Sequence, residues 1–83
     1  MVILKWVMDM LGNLRKGEKG KIIDLSQVNR LVKRRLLDLG ITEGSEVSVK
    51  NTMPFGGPLM LESSGQCIAI RKREALRIEV ERI

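Results

Sequence analysis

The segment running from Arg35 to Val49, Arg-Leu-Leu-Asp-Leu-Gly-Ile-Thr-Glu-Gly-Ser-Glu-Val-Ser-Val, constrains the fold more than any other part of the chain. It joins the end of a helix, a glycine stop, a second glycine turn and the start of a strand. Gly40 stands where the helix must end in the left-handed conformation, which glycine adopts without a Cβ penalty. The spacing predicts a Schellman ending, in which Ile41 folds back on Leu36. Gly44 marks the next turn, and Val47, Val49 and Met53 then alternate with Ser48, Lys50 and Thr52, as in a half-buried strand.

The elements on either side follow from spacing. Lys21 to Leu25 reads as a first strand, with Ser26 as the N-cap of a helix that runs to about Leu39. Val28, Leu31, Val32, Leu36 and Leu39 form its expected buried stripe, and Arg30, Lys33 and Arg34 lie off it. Pro54-Phe-Gly-Gly-Pro58 breaks the following strand. Leu59 to Glu62 and Gln66 to Ile70 flank a Ser64-Gly65 hairpin turn. Ile68 and Ile70 share one face, with Cys67 and Ala69 on the other. Lys72 to Ala75 reads as a turn. Arg77 to Glu81 reads as a last strand, with Ile78 and Val80 inward. Five short strands and one helix point to a mainly β fold, a small barrel with the helix inserted between the first two strands.

The start of the chain carries a different period. Ile3, Trp6, Val7, Met10, Leu11 and Leu14 are spaced as one face of a helix, interrupted by Gly12. Residues 1–7 are expected to be an extension, with Trp6 docked on a single compact domain of residues 8–83. No stretch approaches the ~20 apolar residues of a membrane helix. No small-residue cleavage site follows the apolar start, so a cytoplasmic protein is expected.

Charge is uneven. Residues 1–36 carry a net +6 and residues 37–83 a net −1, so the overall +5 belongs to the first half. Anionic partners are therefore open: nucleic acid, a lipid surface or an acidic protein face. Three basic clusters could track phosphate, around Arg15 to Lys21, Lys33 to Arg35 and Arg71 to Arg73. A stacking platform is missing, because Phe55 is the only aromatic of the barrel region, so a nucleic-acid-binding barrel is the alternative rather than the leading reading.

Hydrolytic chemistry is not legible. The chain has no histidine and no tyrosine, and Cys67 lacks a histidine base. Met53, Met60 and Cys67 could face one another across strands, but core packing accounts for them better than a soft-metal site. No cofactor and no metal ligand set is assigned. Phe55 sits between a proline and two glycines, either folded over a barrel mouth or exposed as an anchor, with packing the favoured outcome.

Taken together, Leu11-x-x-Leu14-x-x-Gly17-x-x-Gly20, the Arg35 to Gly44 segment, Pro54 to Pro58 and the ending from Ile68 to Val80 resemble the FeoA family of small cytosolic ferrous iron transport proteins. The resemblance covers about residues 8–83. It implies an SH3-like barrel and a non-enzymatic accessory role in ferrous iron uptake, with weak transition-metal binding as a further possibility. It also implies a partner, the FeoB-type membrane permease with its cytosolic GTP-binding domain. The residues expected to meet that partner are Lys33 and Arg34 on the helix and Phe55, Gly56 and Gly57 in the turn.

Overall fold

The computed structural model describes residues 8–83. The chain forms β1 (Met8–Met10), a 3-10 turn (Leu11–Asn13), β2 (Lys19–Asp24), α1 (Arg30–Asp38), β3 (Glu46–Thr52), β4 (Leu59–Ser63), β5 (Gln66–Ile70), α2 (Lys72–Ala75) and β6 (Glu79–Arg82). The strands make one six-stranded sheet in the order β1-β6-β2-β3-β4-β5, and every pairing is antiparallel.

The mainly β architecture with one main helix agrees with the sequence expectation, with one added strand and with Lys72–Ala75, read as a turn, forming the short helix α2. The expected helix through Met10 and Leu14 is absent from its described part. Met8–Met10 instead pairs with β6, Met8 opposite Glu81 and Met10 opposite Glu79. Leu11 and Leu14 are nonetheless both buried. The 3-10 turn explains the misreading, since it closes with Leu14 N–H donating to Leu11 O at 3.1 Å and puts positions three apart on one side. The rest of the proposed stripe and extension, Ile3, Trp6 and Val7 included, lies outside the described residues.

The start of α1 also differs. Its N-cap is Asn29, whose side chain accepts from Leu31 N–H at 2.7 Å. Ser26 is not the cap, because its own N–H donates to Asp24 Oδ1 at 2.8 Å in a local turn. The helix end follows the prediction closely. Gly40 N–H donates to Leu37 O at 2.9 Å, and Ile41 N–H donates to Leu36 O at 2.8 Å. Gly40 has φ +79, and Ile41 is buried. These two bonds define a Schellman ending.

The core is aliphatic. Leu11, Ile22, Leu25, Val49, Leu59, Leu61, Ile78 and Val80 are fully enclosed, each contributing roughly 1.5–3 kcal/mol by burial. Val47 and Val49 point inward as read from the alternation, but Met53 does not. The register of β3 against β4 shifts between Val49 and Asn51, and this bulge carries the end of the strand out of phase, leaving Met53 exposed. In α1 only Leu36 is buried, with Val32 and Leu39 packed partly on the core. Leu31, expected inside, is 78% exposed.

Candidate interaction surface

Helix α1 does not lie flat over the sheet. It leaves a groove of about 310 Å³ between itself and β5, closed at one end by the α2 segment. Leu31, Val32, Leu36 and Leu39 form the helix wall, and Ile68, Ala69 and Ile70 form the strand wall. The walls are therefore apolar. Arg35, Arg71 and Arg73 stand on the lining, and all three side chains are exposed. Among the described residues none of these arginines forms an ion pair; the pairs present are Lys50–Glu62, Arg82–Asp9 and Arg82–Glu18.

The one acid in the groove is Glu74. It is buried, and its Oε1 accepts from Asn29 N–H at 3.3 Å. That bond ties α2 to the amino end of α1 and places a carboxylate at the positive end of the helix dipole. At the other end of the helix, Gln66 Nε2 donates to Leu39 O at 3.2 Å and ties the start of β5 to the end of α1. The two ties hold the groove walls in place.

The Pro54–Pro58 turn adjoins this surface. A recess lined by Gly56, Pro58, Arg71, Lys72 and Arg73 shares Arg71 and Arg73 with the groove. Gly57 N–H donates to Pro54 O at 3.2 Å. Phe55 and Gly56 occupy the two central positions with φ 59 and φ 75, the signature of a type I′ turn. Such a turn prefers Asn-Gly, and a bulky residue at positive φ is a genuine outlier. Phe55 is 103% exposed, so the favoured packing over a barrel mouth is wrong: the ring meets solvent. Gly57 serves close packing, since a Cβ there would come 2.6 Å from Met53 Cβ.

Of the residues singled out from the sequence, Gly56 lies beside the arginine rim, and Phe55 precedes it in the exposed turn. Lys33 and Arg34 do not line the groove. Both are exposed on α1, and Lys33 borders a separate hollow with Leu25, Leu37, Thr42 and Glu43. The sequence offers Arg35, Arg71 and Arg73 only as phosphate-tracking clusters and places Leu31 in the core, whereas the structure brings all four to the groove. The basic triplet Arg71-Lys72-Arg73 and the i, i+4 spacing of Leu31 and Arg35 were the available signals.

The other end of the strand order, at β1 and β6, carries a structural charge network. Arg82 reaches Asp9 and Glu18, each at 2.8 Å. The Asn13 amide and the Arg82 guanidinium, both donating to Asp9, hold its carboxyl at a pKa of about 2. Met60 and Cys67 share the outer face of the β4–β5 pair, but Met60 stands opposite Ala69 and Cys67 opposite Glu62, with Met53 beyond the strand end. Among the described residues no three His, Cys, Asp or Glu side chains come together as a metal site, and no helix is long and apolar enough to cross a membrane.

A family model for the FeoA domain matches residues 10–82, nearly the whole described chain. The chain belongs to the FeoA family. Three solved FeoA structures show how far the likeness reaches. The FeoA-like protein of Clostridium acetobutylicum is 30% identical with a TM-score of 0.76, over 92% of this chain and 87% of the other. The FeoA protein of Chlorobium tepidum is 28% identical with a TM-score of 0.82, over 89% of this chain and 70% of the other. The FeoA of Stenotrophomonas maltophilia, crystallised with zinc and reported as a prokaryotic SH3-domain protein, is 27% identical with a TM-score of 0.72, over 87% and 88%. The FeoA family is associated with ferrous iron transport, and the fold of this member is SH3-like.

Proposed function

We propose that this FeoA-family chain is a non-enzymatic docking module of ferrous iron uptake. It acts in the cytoplasm on the cytosolic GTP-binding domain of the FeoB-type permease. Family membership supports the iron-transport setting, and the exposed turn beside the arginine rim supports docking. The carrying observation is Phe55: a fully exposed aromatic at φ 59, one residue before Gly56, which shares a recess with Arg71 and Arg73. Strained positions of this kind cluster at functional sites. Buried aromatic and arginine anchors dominate protein interfaces.

Electrostatics gives the mode. Unpaired arginines around an apolar groove speed encounter with an acidic surface and fix its register, more than they add affinity. Lys33 and Arg34, on the neighbouring helix surface, extend the positive field without entering the groove.

Titration of the purified cytosolic domain of the permease with this protein tests the proposal. Saturable binding at moderate ionic strength, weakened about tenfold or more by Arg71→Glu with Arg73→Glu, is the expected result. No binding with several forms of the permease domain would sink it.

A further inference from the structure

Strand β5 ends the sheet, and its free edge faces the groove. The backbone register shows which groups it offers. Ser63 pairs with Gln66 across the two-residue Ser64-Gly65 turn, whose φ values of 51 and 82 make it type I′. Such flanking residues exchange both backbone hydrogen bonds, and bonded and non-bonded pairs alternate along an antiparallel ladder. Ile68 and Ile70 therefore spend their N–H and C=O groups on β4. Cys67 and Ala69, opposite Glu62 and Met60, turn theirs away from it. Among the described residues no partner lies on that outer side for either one. A row of open donors and acceptors is a template for another strand.

We propose that the β5 edge receives an extended acidic segment of a partner protein as an added strand. Backbone hydrogen bonds to Cys67 and Ala69 hold the segment, and its apolar side chains enter the groove against Val32 and Leu36. Its carboxylates meet Arg35, Arg71 and Arg73. Main-chain pairing with pockets for alternate side chains is an established mode of peptide recognition. Charge complementarity selects the occupant: the groove presents three arginines without ion pairs, and its only acid, Glu74, is buried and bonded to Asn29. Length also fits. The nine-residue α1 wall is about 13 Å long at 1.5 Å per residue, the span of about four extended residues. This inference rests on the docking reading above and names the chemistry of the docked segment.

The test uses the whole chain, labelled with nitrogen-15, and a synthetic peptide alternating Glu with Val. Expected are protection of the Cys67 and Ala69 amides from hydrogen exchange by about tenfold or more and a matching loss of affinity in two controls. The first control is the same peptide N-methylated at alternate residues, which cannot pair along one edge. The second is the Arg71→Glu, Arg73→Glu protein. N-methylation leaves the protein untouched, so a folding defect in the charge variant cannot obscure the result. Equal binding by the N-methylated peptide, or by a Lys-Val peptide, overturns the proposal. So does protection of the same amides in the peptide-free protein that disappears on dilution, which would assign the edge to a second copy. The permease domain is titrated in parallel. Binding of that domain without protection of Cys67 and Ala69 keeps docking and removes strand addition. Binding of the acidic peptide but not of the permease domain keeps strand addition and removes the permease.

Discussion

Replacing Phe55 with asparagine separates folding from docking in one experiment. Phe55 stands at the first central position of the type I′ turn with φ 59, and Gly56 follows with φ 75. The left-handed conformation costs an L-residue with a bulky side chain roughly 1–2 kcal/mol. The ring recovers none of this by burial, since it is 103% exposed. Asn-Gly is the favoured pair for such a turn. Phe55→Asn is therefore expected to stabilise the fold by about 1 kcal/mol, raising Tm by about 4–8 °C for a domain of this size. The same change removes the anchor from the proposed interface. Loss of a hot-spot aromatic costs about 2 kcal/mol or more, so affinity for the permease's cytosolic domain should fall about 30-fold or more. Thermal unfolding and a binding titration read the two effects on one preparation. A Tm drop of several degrees would refute the reasoning, because it would mean the ring packs on the protein in solution. A stabilised variant with unchanged affinity would remove Phe55 from the interface while leaving the turn argument intact.

Three further outcomes follow from other parts of the molecule. At Gly40 a Cβ would find nothing within 4 Å, so only φ +79 opposes a side chain; Gly40→Ala should cost about 1 kcal/mol and Gly40→Val more, read from urea midpoints at unchanged m. Leu61, 1% exposed in the middle of β4, should cost about 2–5 kcal/mol when cut to alanine, again by urea unfolding. Asp9 has a folded-state pKa of about 2 against an ordinary 3.8, so its contribution to stability is present above the ordinary value and lost as pH falls toward the folded one. Asp9→Asn should therefore lower stability at neutral pH and flatten its fall between about pH 5 and pH 2; parallel curves for the two proteins would show that the Asn13 and Arg82 contacts to Asp9 together contribute nothing.

The parts of this fold legible in sequence are those whose causes are local. The Schellman ending needs only Leu36, Gly40 and Ile41, all within six positions. The Ser64-Gly65 hairpin and the inward pair Ile78 and Val80 are equally self-contained. Strand β1 is different. Three residues pair with β6 at the far end of the chain, Met8 opposite Glu81, and nothing near Met8 announces that partner. The missed cap has another cause, a local competition: Asp24 captures the Ser26 N–H and leaves Asn29 to start the helix. Leu31 and Phe55 were misplaced for a third reason. Apolar character argues for burial, but only tertiary geometry decides whether a wall stands close enough to cover the side chain. Here the helix stands off β5, and the turn points outward. Leu31 lines the candidate site, and Phe55 directly precedes Gly56 at its rim.

The two ends of the sheet show why that coincidence has a physical basis. An open edge invites pairing with other chains, and proteins usually blunt it. The described β1 edge carries a charge instead of an apolar face: Asp9 is engaged by Arg82 and Asn13. At β5 the helix supplies partial cover instead. Gln66 is tied to Leu39, and Glu74 to Asn29, at the two ends of the groove. Between these ties Cys67 and Ala69 have no backbone partner on their outer side among the described residues, and arginines stand near the opening. Like charge on two copies opposes edge-to-edge pairing, and the same charge favours an acidic strand. One set of arginines thus discourages self-association and selects the partner, so neutralising Arg71 and Arg73 as glutamines should both weaken acidic-peptide binding and raise the tendency of the protein to dimerise. Sedimentation of the double variant checks the second half, and a strictly monomeric variant that still loses the peptide would confine the arginines to recognition.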